Sequence, residues 1–118
     1  MADFGIFIGF GRPARGREVQ SARVFGEAMA YYDGLKKRGE IESVQVAILE
    51  VHGGDLGGFL LIRGERDRLA KVRASAEFER LTVRAGFIVE NVGVVSALLD
   101  AEAARFVGQA ATLTADLA

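Results

Sequence analysis

Two apolar runs, Ile41 to Val51 and Phe59 to Arg63, are joined only by the short stretch HGGDLGG. Both runs read as strands, and a parallel crossover between strands needs a dozen or more residues, so the two must form an antiparallel hairpin. Glycine supplies positive φ there without steric penalty, and Asp55 is a favoured turn residue. The stretch is first of all a turn. This constraint argues against a doubly wound parallel sheet.

The flanking segments complete the order. Phe4, Ile6, Ile8 and Phe10 alternate with Gly5, Phe7, Gly9 and Gly11, a period of two that predicts a first strand. From Glu18 to Arg38 the period becomes helical, through Ala22, Phe25, Ala28, Met29, Tyr32 and Leu35. Lys36, Lys37 and Arg38 sit where cations suit a helix C-terminus, and Gly39 follows as the natural C′ residue. Asp67 to Arg84 is helical through Leu69, Val72, Ala76 and Leu81, with a possible break at Ser75. Gly86 is expected to end that helix, Phe87 to Val95 to form a fourth strand, and Ser96 to cap a final helix. There Leu99, Ala103, Phe106, Ala110, Leu113 and Leu117 make a narrow apolar seam, expected to lie against the chain's own core rather than to cross to another copy. The order β-α-β-β-α-β plus a C-terminal helix predicts one α+β domain over residues 1–118, a split β-α-β or ferredoxin-like antiparallel sheet.

The strands are apolar on both faces. In the second, Val44, Val46 and Ile48 point one way while Ala47, Leu49 and Val51 point the other. Two helices of the same chain cover only one face of such a sheet. The other would present water with a larger apolar patch than soluble monomers usually tolerate. The sequence therefore predicts a homodimer, sheet face against sheet face.

The segments YYDGLKKRGEIESVQVAILEVHGGDLGGFLLIRG and LAKVRASAEFERLTVRAGFIVENVGVV, in this order of elements, resemble small bacterial members of the dimeric α+β-barrel superfamily. That resemblance covers the whole chain as an order of elements. It implies a ferredoxin-like chain whose paired sheets form a barrel, with a pocket. The superfamily includes cofactor-free monooxygenases, degradation enzymes, haem-binding proteins and stress-responsive domains, so the resemblance implies no single activity.

Several residues are candidates for a site. Glu50 and His52, two apart on an expected strand, project from one face, where a carboxylate can orient an imidazole that acts as general base. Asp55 and Arg63 are expected to approach across the hairpin and hold polar groups of a substrate. The competing reading makes His52 a turn cap and Glu50 a solvated strand-end charge. Ser43 and Gln45 interrupt the apolar pattern on the odd-numbered face, which on the first strand carries Phe7 among glycines. Periodicity leaves open whether that face looks into a barrel or onto the helices. If into the barrel, Gln45, Phe7 and Asn91 line a substrate pocket. Otherwise Gln45 pairs with a polar neighbour in the interface. Tyr31 and Tyr32 diverge by about 100° on their helix. Tyr32 joins the apolar stripe and Tyr31 flanks it; the phenol of either could anchor or protonate a substrate, although helical aromatics more often serve packing.

Other chemistries fit poorly. In GRPARGRE the glycines at 11 and 16 have P-loop spacing, but Arg17-Glu18 stands where lysine and a magnesium-binding hydroxyl are required. The strand FLLIRG lacks the spaced aromatics of an RNA-recognition sheet, with Leu61 and Gly64 in the later aromatic positions. The formal charge of −1, with acids and bases interleaved, offers no cationic face for nucleic acid or membrane. One histidine and no cysteine make neither a zinc site nor a two-histidine iron triad within one chain. Haem on His52 stays open, but the reading calls for no metal and no cofactor. The N-terminus lacks a basic n-region before its apolar patch, and cysteine is absent, so a cytoplasmic location is expected. Two functional readings remain. One is a small enzyme acting on a hydrophobic organic molecule by cofactor-free oxygenation or isomerase-type proton transfer. The other is a non-catalytic small-molecule-binding or structural dimer module.

Overall fold

Four strands make one sheet: β1 (Phe4–Phe10), β2 (Ser43–Ile48), β3 (Gly58–Gly64) and β4 (Gly93–Leu98). Their order is β2-β3-β1-β4, and each neighbouring pair is antiparallel. Between them run α1 (Glu18–Lys37), α2 (Arg66–Ala74) and α3 (Ala76–Ile88), and α4 (Asp100–Leu113) follows β4. The computed structural model describes residues 2–117. This is the expected α+β, ferredoxin-like arrangement, with the second helical segment divided in two and a helix added at the end.

Register decides which face is which. Ile6 lies opposite Ile62, and Ile62 opposite Val44, so the even-numbered residues of the three strands share one face. That face is the core. Ile6, Leu60 and Ile62 pack with Tyr32 and Leu35 of α1, Leu69 and Val72 of α2 and Phe78 of α3. The odd face therefore looks away from the helices. It carries Phe7, Phe59, Leu61 and Val95 beside Ser43, Gln45 and Arg63. The rings of Phe7 and Phe59 meet at 5.1 Å, and Val95 is 56% exposed. The bare positions at Gly5 and Gly9 are not voids, because Leu99 folds over the first and Leu56 and the Phe7 ring over the second.

Helix α1 ends as its sequence requires. Gly39 takes φ +73°, its N–H donates to the Lys36 carbonyl and that of Glu40 to Leu35, the paired bonds of a Schellman ending. Arg84 of α3 grips Glu27 of α1 through two nitrogens at 3.1 and 2.9 Å, which locks the two helices side by side over the sheet.

Three expected boundaries differ. Gly86 does not end its helix. Ile88 lies seven residues beyond Leu81, on the same stripe, and is buried with it, so packing carries α3 through the glycine. Phe87 to Val89 had the look of a strand because a short apolar run has no period of its own. β4 starts only at Gly93, after Asn91 turns the chain at φ 57°. Ser96 caps nothing: it is a strand residue opposite Ile6, and α4 begins after Leu99 with no side-chain cap. The C-terminal seam does not lie on the chain's own core either. No residue of α4 is buried, and Phe106, Val107 and Leu113 are each more than half exposed.

Ser75 is the joint of the helical layer. Its hydroxyl accepts from the Phe78 N–H at 3.2 Å and donates to the Val72 carbonyl at 2.7 Å. Its one proton being spent on Val72, the Tyr31 phenol 3.1 Å away must be the donor to it. One side chain thus ends α2, caps α3 and ties both to α1. Ser75→Ala should lower the unfolding free energy by about 1–2 kcal/mol, read from the urea midpoint, and Ser75→Asp should recover much of it. An unchanged midpoint in the alanine variant would show that the joint contributes nothing to stability.

Candidate functional site

A cavity of about 560 Å3 opens where the helices, the sheet and the hairpin loop meet. It lies on the helix side of the sheet, at the end where β1 and β2 finish and β3 begins. Ile8, Phe10 and Leu60 form its floor, Ala22, Phe25, Ala28 and Tyr32 of α1 one wall, and Leu81, Thr82, Ala85 and Ile88 of α3 another. Alanines at 22, 28 and 85 explain the space, since small residues on facing helices leave it unfilled. The inner surface is apolar, and the Thr82 hydroxyl is spent on the Phe78 carbonyl.

The mouth is built from backbone. Residues 49–57 connect β2 to β3 as a loop, pinned by Leu49 N–H to the Gly57 carbonyl at 2.9 Å and Gly57 N–H to the Phe10 carbonyl at 2.7 Å. Opposite, Gly11 N–H donates to Glu90 and Glu90 N–H to Arg12, drawing the loop after β1 against the end of α3. A Cβ on Gly11 would stand 2.9 Å from both the Asp55 and Glu90 carbonyl oxygens. The glycine is there because two loops close over it, which accounts for GRPARG without a phosphate.

His52, Glu50 and Asp55 all line the cavity, on its exposed rim. The His52 ring is held by its own loop: Nδ1 accepts from the Gly54 N–H at 3.2 Å, so Nε2 carries the proton and donates to the Leu56 carbonyl at 2.8 Å. The expected Glu50–His52 bond is not made. β2 ends at Ile48, so residues 50 and 52 are not on an extended strand and the same-face rule does not apply to them.

Other candidates lie elsewhere. Arg63 does not approach Asp55. It pairs with Ser43 at the far end of the hairpin, where it contacts Asp100 at 2.9 Å and the Ala2 carbonyl at 3.0 Å. Phe7 and Gln45 are on the outer face, across the sheet from the cavity, because the helices close the space on the even side. Asn91 is in the turn after α3, beside Gly11. Tyr31 turns to Ser75, and its ring packs on that of Tyr32 at 5.1 Å.

Tyr32 is the other phenol for which the sequence left a ligand role open. Its place in the apolar stripe signalled core, and it is core, at 2% exposure, but it also lines the cavity. Burial first, and then the neighbouring Tyr31, push its hydroxyl well above the ordinary phenol value, so it stays protonated as a donor.

Neighbours of this geometry exist among solved structures. A dimeric ferredoxin-like protein of unknown function from Jannaschia sp. CCS1 superposes with a TM-score of 0.61 at 16% identity, over 81% of this chain and 99% of that one. The fold shared with it is ferredoxin-like. A second, from Thermobifida fusca YX, gives 0.60 at 8% identity over 84% and 93%. A mutant form of SnoaB, a cofactor-independent oxygenase from Streptomyces nogalater, gives 0.57 at 13% identity over 85% and 94%. No protein-family model and no curated protein matches the sequence. Among the described residues no helix is long and apolar enough to cross a membrane.

The loop geometry makes His52 a clasp, and this is measurable. In His52→Ala the Gly54 amide should exchange with solvent about tenfold faster, while global stability changes by under about 0.5 kcal/mol because the ring is exposed. Unaltered Gly54 exchange would show that the ring does not hold the loop.

Proposed function

We propose that the protein acts, as a homodimer, on a small hydrophobic organic molecule held in the cavity of each protomer, with polar chemistry confined to the mouth. The observation that carries the reading is the cavity itself: about 560 Å3, apolar within and polar at its rim, the character of small-molecule sites generally. His52 is the proton carrier of the rim, and Glu50 and Asp55 meet polar groups of the substrate. Nδ1 must be unprotonated to accept from Gly54. Proton uptake at that nitrogen therefore breaks the bond, coupling proton transfer to loosening of the loop. Proton transfer of this kind suits an isomerase-type step or the deprotonation that precedes cofactor-free oxygenation. That one neighbour of the same fold is a cofactor-independent oxygenase is consistent with it.

Dimerisation is supported by two surfaces without a partner in the chain, the outer sheet face and the apolar side of α4, and by the dimeric state of the neighbours. Phe7 and Gln45 then belong to the contact between copies. A cytoplasmic, cofactor-free protein with no nucleic-acid or membrane partner remains our reading of its setting.

A second reading is favoured by the same histidine. Both ring nitrogens are already engaged within the loop, which suits a binding module whose His52 only closes the mouth. Two variants separate the readings, using whatever molecule co-purifies with the protein. Ala85→Phe fills the cavity and should abolish retention of that molecule. His52→Ala should keep retention within about twofold but cut turnover of the molecule by about 100-fold or more. Retention by Ala85→Phe would sink the cavity as the site; full turnover in His52→Ala would sink the proton-transfer role.

A further inference from the structure

The buried phenol of Tyr32 has no hydrogen-bond partner among the described residues. Its side chain is 2% exposed, in a core of Ile6, Leu60, Ile62 and Phe78. Tyr31 next to it bonds to Ser75, but the Tyr32 hydroxyl makes no hydrogen bond with any described residue. It is not sealed off either, because among the described residues every fully enclosed side-chain nitrogen or oxygen has a partner. The oxygen is therefore not fully enclosed, and Tyr32 is among the residues that line the cavity. A phenol desolvated this far is costly to leave unpaired. Natural cores keep tyrosine where its hydroxyl reaches a partner, and phenylalanine would fill the same stripe position without the penalty.

We propose that Tyr32 is a ligand-facing hydrogen-bond donor at the inner end of the cavity, selecting molecules that bring a neutral oxygen acceptor, a carbonyl or ether oxygen, to meet it. The assignment rests on the cavity being a small-molecule site and adds what that site discriminates. Burial keeps the phenol protonated, so it donates. The inner walls at Ile8, Leu60, Leu81 and Ile88 hold no cation to neutralise a carboxylate or phosphate; Arg12 is the arginine of the lining and belongs to the mouth. An anionic end group would thus be buried without a counter-charge, whereas a neutral acceptor gains one bond in a dry site. Tyr31 is tethered by Ser75, and its ring packs on that of Tyr32.

The test uses a matched pair of probes, acetylnaphthalene and ethylnaphthalene of the same substitution pattern, which differ by a carbonyl oxygen. Binding is followed by nuclear magnetic resonance titration of the full chain and of Tyr32→Phe. The wild type should prefer the ketone by about two- to tenfold over the hydrocarbon, beyond their difference in transfer from water. Tyr32→Phe should lose that preference while holding the hydrocarbon unchanged, which also shows that its cavity is intact. Equal preference in both proteins would overturn the role of Tyr32 and leave the cavity reading standing. Binding of neither probe would overturn both. The infrared carbonyl band of the ketone bound to wild type gives a reading independent of the variant: it should sit below its value in hydrocarbon solvent, and an unshifted band overturns the proposal.

Discussion

Everything in this molecule follows from a sheet that is apolar on both sides and has helices for only one. α1, α2 and α3 cover the even face and build the core on Ile6, Leu60 and Ile62. The odd face keeps Phe7, Phe59, Leu61 and Val95 without a layer above them, and Leu56 and Leu99 close only its ends. Phe7, Phe59 and Leu61 are already half-buried in the single chain and Val95 is 56% exposed, so a second copy would remove from water only what these side chains still show, and in a two-fold contact each residue counts twice. α4, with Phe106, Val107 and Leu113 exposed, adds a second apolar surface to the same requirement.

The cavity is the consequence of the covered side. At the loop end of the sheet, facing alanines on α1 and α3 leave the space over Ile8 and Leu60 unfilled, while the 49–57 loop and the Gly11–Arg12 segment after β1 fold over the gap. The polar residues then divide their work: His52 holds the rim and Tyr31 the helical joint, while Tyr32, next to Tyr31 in sequence, is among the cavity's lining residues. Face-to-face pairing of sheets leaves this opening free, since it lies on the opposite side.

Much of the fold was legible in the sequence where local and long-range signals agreed. The short hairpin forced antiparallel pairing, β1 alternated, Gly39 marked the end of α1, and Ser75 marked a joint. Legibility failed where packing overrode local signals. Ile88 drew α3 past Gly86, and Ser96 looked like a cap but fell within β4, because the strand began several residues later than its apolar run. The rim of the site was legible through His52, Glu50 and Asp55, though not its geometry: a loop, not a strand, carries them, which cancels the inferred Glu50–His52 contact. The interior of the site was not legible at all. Alternation cannot tell which face the helices will choose, so the place of Phe7 and Gln45 stayed open until register put the even face, with Ile8 and Leu60, under the helices. A tyrosine in a core stripe does not announce that it also lines a cavity.

The central claim is that the uncovered sheet face belongs to a second copy of the chain. Native mass spectrometry of the gently purified protein, checked by sedimentation at low concentration, tests it directly. The account predicts a dimer that persists on dilution into the low micromolar range. A stable monomer would contradict it, because the outer face would then be exposed to water in the functional protein.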